Sequence, residues 1–189
     1  MTALIITPEE FRDTVEKILA RFSARLVKIW NEKSYKDYTK FWENEKGVYG
    51  AIANEYHLIY RTNYWEIDGA FYREEEKLVL PHSRGKFLSL AIEHENDART
   101  SYEEVNKLAA HVNASLGVVI TYPETKSGGR YPDAKKLLKN YSRQVRDADV
   151  FGDFGQVGGR SIMAVFGYFK RKTIKWDYFL YKNEGFVKL

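Results

Sequence analysis

From Phe11 onward the apolar residues Phe11, Val15, Ile18, Leu19, Phe22, Leu26 and Ile29 recur every three or four positions, the period of an amphipathic helix. Thr7-Pro8-Glu9-Glu10 opens that run with a hydroxyl cap, a proline in the first turn and acids at the positive end of the helix dipole. The pattern predicts a helix over about 8–30. Residues 31–46 are aromatic and charged, with Tyr35, Tyr38, Phe41 and Trp42, and receive no element. Val48, Ile52, Tyr56 and Ile59 share one face of a second helix over about 48–60, although His57 to Tyr60 also fits the start of a strand. The period then shortens. Tyr64 to Tyr72 is aromatic-rich and reads as a strand, followed by an exposed turn at Arg73 to Lys77. Phe87 to Ile92 is nearly all apolar, as in a central strand covered on both faces, and it runs into Glu93-His94-Glu95-Asn96. A helix over 101–114 and a buried strand over 116–122 follow. After a loop at 125–132 comes an amphipathic helix over 133–148, with Leu138, Tyr141 and Val145 as its apolar stripe. A glycine-rich loop at 151–160 and two strands, 161–170 and 174–181, complete the chain. Helix, strand, strand, helix, strand predicts an α/β fold with a mixed sheet flanked by helices.

At 189 residues the chain has the length of one domain, with a helical segment at about 1–45 and a core at about 45–189. Hydrophobic residues are 44% and charged residues 30%, which excludes a disordered chain. The absence of cysteine excludes disulfide scaffolds, thiolate zinc or iron–sulfur sites and cysteine nucleophiles, and it fits a reducing, cytoplasmic location. No run approaches the roughly 18 apolar residues of a membrane helix, and no signal-peptide pattern opens the chain. Charge is uneven: residues 1–129 carry a net −3 and residues 130–189 a net +7. An acidic front and a basic back suit a protein that grips a polyanion at one place and uses carboxylates at another.

The acids that end the second strand are the main candidates for chemistry. Alternate residues of a strand share a face, so Glu93 and Glu95 point the same way. Leaving them buried at the end of an apolar strand without a cation would be costly. Asp68 sits mid-way along the preceding predicted strand, and adjacent strands would bring three carboxylates together. All-oxygen sites of that kind take hard divalent ions such as magnesium.

Helix, strand with Asp68, strand with Glu93-x-Glu95, helix, strand resembles the core of the PD-(D/E)XK, restriction-endonuclease-like nuclease superfamily over about residues 45–122. The resemblance implies a three-layer domain and a nuclease that cuts DNA with Mg2+ or Mn2+. In it Asp68, Glu93 and the backbone carbonyl of His94 hold the metal, and Glu55 from the preceding helix joins them. Glu95 stands where most members carry lysine and Ile67 stands where they carry proline. Glu95 would then act as a general base or bind a second metal. The missing positive charge would come from Lys107, one turn after Glu103, with Lys86 as the weaker candidate. Glu103 and Glu104 read as complements to the helix dipole.

The four histidines show no zinc spacing, and the serines no nucleophile elbow. The 151–160 glycines follow a helix and precede a strand, the reverse of a dinucleotide fingerprint. Lys135, Lys139, Arg143 and Arg146 on the last helix, with Lys170, Arg171 and Lys172 between the last strands, are the expected contacts to a phosphate backbone, joined by the loop Lys126 to Arg130. Most aromatic residues, 15% of the chain, read as packing, with a minority suited to stack on bases. The expected partner is DNA, with a homodimer suited to double-strand cutting. The alternative, motivated by Glu95, is a non-catalytic nucleic-acid-binding or scaffold protein on a degenerate nuclease fold.

Overall fold

Two apolar runs, β3 (Leu88–His94) and β4 (Ala114–Thr121), are buried along their whole length and form the centre of a seven-stranded sheet. The computed structural model describes residues 6–32, 35–64, 66–73, 88–125, 132–149, 152, 154 and 159–189. The remaining strands are β1 (Ile59–Arg61), β2 (Gly69–Tyr72), β5 (Ser161–Lys170), β6 (Thr173–Lys182) and β7 (Gly185–Lys188), and the sheet runs β1 to β7 in chain order. β1, β2 and β3 pair antiparallel, β3, β4 and β5 pair parallel, and β5, β6 and β7 return antiparallel. Each parallel pair needs a crossover. α4 (Ser101–Ala110) supplies the first and α5 (Ala134–Ala148) the second, and the two pack on each other.

The other face carries α1 (Pro8–Glu32), α2 (Tyr35–Glu43) and α3 (Val48–Tyr56). Strand alternation divides the core accordingly. Leu90, Ile92, Leu116, Val118, Ile120 and Val165 pack with Phe11, Leu26, Trp42 and Ile52 under α1–α3. Ala91, Val119, Ala164 and Phe166 pack with Val105, Leu108, Leu137 and Tyr141 under α4 and α5. A mixed sheet between two helical layers is thus the observed α/β architecture.

Local chemistry explains the helix boundaries. Thr7 Oγ1 accepts from the Glu10 amide at 3.2 Å while Glu10 Oε2 accepts from the Thr7 amide at 3.1 Å, a reciprocal capping box at the start of α1. Asp133 caps α5 by accepting from the Lys136 amide at 2.8 Å. His57 takes a left-handed conformation (φ 53°) that ends α3 at Tyr56, so the helix expected to reach 60 stops early and β1 begins.

Several other boundaries differ from the sequence reading. The aromatic stretch 31–46 contains α2, whose Tyr38, Phe41 and Trp42 are buried at helical spacing. α4 ends at Ala110, so β4 starts at Ala114, earlier than expected. Leu137 takes the fully buried place on α5 that was assigned to Leu138. β7 was not anticipated, and its Gly-Phe-Val-Lys run is too short to carry a period. The turn after Arg73, Lys86, Phe87, the loop Lys126 to Arg130 and most of the 151–160 loop lie outside the described residues.

No helix among the described residues is long and apolar enough to cross a membrane.

Candidate carboxylate site

Antiparallel pairing of Gly69 with Ile92 sets Asp68 opposite Glu93. Asp68 lies just before β2 rather than mid-strand, because a tight turn intervenes. Tyr64 and Ile67 exchange backbone hydrogen bonds of 3.0 and 3.1 Å, with Asn63 (φ 52°) and Glu66 (φ 64°) in left-handed conformations. Such φ values are uncommon outside glycine and are kept where surrounding contacts hold them. Here Lys107 Nζ donates to the Glu66 carbonyl at 2.8 Å.

Glu93 follows Ala91 on the α4 side of β3 and is 1% exposed. Lys107 reaches it from α4, with Nζ 3.0 Å from Glu93 Oε1 and 2.5 Å from Glu104 Oε2. Arg160 donates to the carbonyls of Leu108 (2.9 Å) and Val112, fixing the end of the helix that carries Lys107. Burial first, and the neighbouring Asp68 charge second, push the Glu93 carboxyl far up, to about 9. Asp68 is also raised by burial, but less, since the His94 amide donates to its Oδ2 at 2.8 Å and Glu93 hydrogen-bonds to it. Burial works against the Lys107 ammonium, yet the hydrogen bond to Glu104 and the charge of Glu93 outweigh it and raise Lys107 overall. Asp68 and Glu93 are thus two adjacent acids, each held above the ordinary carboxylate range.

In extended backbone the N–H and C=O of one residue point to the same neighbour. The Glu95 amide bonds the Ile120 carbonyl on β4, whereas the His94 amide bonds Asp68. The His94 carbonyl is therefore directed to the Asp68 edge of β3. The His94 ring is on the opposite face, as expected, where burial alone lowers its pKa to about 3. Its Nε2 is 2.7 Å from Tyr122 Oη, and Tyr122 donates to Tyr38 Oη at 2.8 Å.

Two expected acids are elsewhere. Glu95 shares the face of Glu93, but its Oε1 accepts from the Asp97 amide at 2.7 Å, so it braces the turn after β3. Glu55 is exposed on the solvent side of α3. Among the described residues no cluster of three or more His, Asp or Glu side chains is arranged to hold a metal ion, so the three-carboxylate expectation reduces to the pair Asp68 and Glu93. The basic residues Lys135, Lys139, Arg143, Arg146, Lys170, Arg171 and Lys172 are all exposed.

Two neighbours, Glu43 and Tyr49, escaped the sequence reading. Glu43, at the end of α2, is raised by burial and then by the charge of Asp68. Tyr49 on α3 is fully buried, and its hydroxyl has no hydrogen-bond partner among the described residues. A Cβ at Gly69 would stand 3.1 Å from Tyr49 Cε2, so glycine beside Asp68 lets that ring approach the turn. Glu104, read as a dipole complement, also holds Lys107. The helical spacing of Tyr38, Phe41 and Trp42 was the available signal for Glu43.

A hard divalent cation fits this donor set: two adjacent oxygen acids, one of them buried and reluctant to ionise, with a carbonyl on the same edge. No protein-family model matches the chain, and no curated protein matches it.

Proposed function

We propose that the protein is a divalent-metal-dependent nuclease that hydrolyses DNA phosphodiester bonds on a restriction-endonuclease-like fold. One observation carries the reading: Asp68 and Glu93 face each other across paired strands with the Lys107 ammonium 3.0 Å from Glu93. The succession α3, β2 with Asp68 at its start, β3 with Glu93, α4 and β4 supports it, with β1 as an additional strand.

Asp68, Glu93 and the His94 carbonyl would hold magnesium or manganese, which when bound supplies Lewis-acid polarisation of the phosphate and a more acidic water. Lys107 places a fixed positive charge where negative charge grows on the phosphoryl oxygens, the contribution a lysine two residues after Glu93 would otherwise make. Glu104 and the Glu66 carbonyl orient that ammonium. Glu95 is occupied with the Asp97 amide, which leaves it no part as the general base or second-metal ligand expected of it, and Lys107 keeps the charge-stabilising part expected of it. The exposed basic residues of α5 and of the β5–β6 turn supply phosphate-backbone contacts.

The test is cleavage of supercoiled plasmid by the full chain with magnesium, manganese or EDTA. Metal-dependent nicking or linearisation is expected, and Lys107→Met should slow it by roughly 10²- to 10³-fold, the usual effect of removing one charge-stabilising donor. DNA binding without cleavage in either metal would overturn the catalytic reading and favour a non-catalytic nucleic-acid-binding protein. Direct linearisation would indicate that two copies act together.

A further inference from the structure

At the carboxyl ends of β3, β4 and β5, on the α1 side of the sheet and three residues along the chain from Glu93, lies a cleft of about 540 Å³ lined by Trp30, Asn96, Tyr122, Gly167 and Phe169 among others. Its walls are aromatic. Trp30 stacks on Phe169 with centroids 4.0 Å apart and planes 12° from parallel, and lies 4.9 Å from the Tyr122 ring. Gly167 makes this possible, because a Cβ there would come within 2.5 Å of Tyr122 Cε1. Trp30 is nonetheless 36% exposed, unusual for so large an apolar side chain already engaged in stacking.

We propose that this cleft receives an unpaired nucleobase of the nucleic-acid strand whose backbone lies at the Asp68–Glu93 site. The proposal rests on the nuclease reading and adds to it that the substrate has unstacked bases. Three features favour a base over a phosphate inside the cleft. Aromatic faces stack on any base. Asn96 donates to Thr39 Oγ1 at 3.2 Å, while its buried Oδ1 has no hydrogen-bond partner among the described residues and suits a base N–H. Asp97 and Glu124 also line the cleft and disfavour an anion there. The anion has its place outside. Asn31 Nδ2 donates to the Arg171 carbonyl at 3.2 Å, which sets the exposed turn Lys170–Arg171–Lys172 next to Trp30 at the end of α1. The backbone from Glu93 to Asp97 runs directly from the carboxylate site to this cleft.

The test uses the full chain in EDTA and fluorescence anisotropy. A twelve-nucleotide oligothymidylate is compared with the same backbone carrying abasic residues, so that phosphate count and salt dependence are equal. The base-bearing strand should bind the wild-type chain about tenfold tighter or more, and Trp30→Ala should reduce that advantage about fivefold or more, the scale of base–aromatic stacking. Trp30→Phe should recover most of it, and the abasic strand should not distinguish the three proteins. Equal affinity of the wild-type chain for the two strands overturns the proposal, as does Trp30→Ala binding oligothymidylate like wild type. The wild-type comparison decides even if Trp30→Ala does not fold. Because no metal is present, a chain that prefers bases but does not cut DNA loses only the catalytic reading. One that cuts without preferring bases loses only this inference.

Discussion

Glu93→Gln is expected to remove metal-dependent cleavage, by on the order of 10³-fold or more, while leaving the protein folded. The magnitude follows from the several kcal/mol that a bound metal contributes to phosphoryl transfer, at about 1.4 kcal/mol per tenfold in rate. The retention of structure follows from the burial of Glu93. Its carboxyl is 1% exposed and holds its proton far above the ordinary carboxylate range, so the neutral amide resembles the form the fold prefers. A carboxyl whose pKa is raised in the folded state contributes stability that is complete below its unfolded value and is lost as pH rises through the folded value. Glutamine has no such loss. Glu93→Gln should therefore match wild type in thermal unfolding at pH 5 and be more stable at pH 8, with the difference growing between those values. Asp68→Asn should be equally inactive. Its amide oxygen still accepts from the His94 amide, so the β2–β3 junction survives. Plasmid cleavage and thermal melts of the two variants check both halves, and full activity in either variant would remove its carboxylate from the site.

Trp42→Ala should produce the largest loss of stability, about 3–5 kcal/mol, the usual cost of truncating a buried aromatic side chain. Trp42 is 0% exposed and is wedged between α2 and the sheet. Its ring stacks on His94 at 4.5 Å, meets Tyr49 edge-on at 6.1 Å and meets Trp176 at 6.0 Å. Removing it leaves a cavity beside the residue whose amide holds Asp68. It also loosens α2, which carries Glu43 toward Asp68 and Thr39 toward Asn96. Domains of this size lose roughly 2–4 °C of Tm per kcal/mol, so a drop on the order of 10 °C is expected in a thermal melt. A shift under about 3 °C would mean that α2 is not anchored through this ring.

Much of the sheet was legible because burial on both faces leaves a plain mark. The apolar runs at 87–92 and 116–122 stand out, and β3 and β4 occupy nearly those residues. The facing of Glu93 away from His94 follows from strand alternation alone. The adjacency of Asp68 and Glu93 was a conditional reading, since periodicity within a strand says nothing about which strand lies beside it. What remained illegible depends on tertiary contacts. Glu95 turns to the Asp97 amide because the chain bends after β3, and no spacing rule encodes that bend. Glu55 was chosen by its position at the end of a helix, but the buried face of α3 runs through Val48, Tyr49, Ile52 and Ala53 and leaves Glu55 in solvent. Glu43 was missed because the helical spacing of Tyr38, Phe41 and Trp42 spans only two turns amid charged residues and was not read as a helix. Lys107 was the stronger of two lysine candidates on helix geometry, and its Nζ, 3.0 Å from Glu93 Oε1, gives it a physical basis.

The most direct test is a calorimetric titration of the full chain with manganese at pH 6 and pH 8. Binding must displace the proton that Glu93 holds until about pH 9. Manganese affinity should therefore rise with pH, by about tenfold per unit if one proton leaves, and both Asp68→Asn and Glu93→Gln should abolish it. Absence of binding at both pH values, or binding that survives the loss of either carboxylate, would contradict a cation site between Asp68 and Glu93.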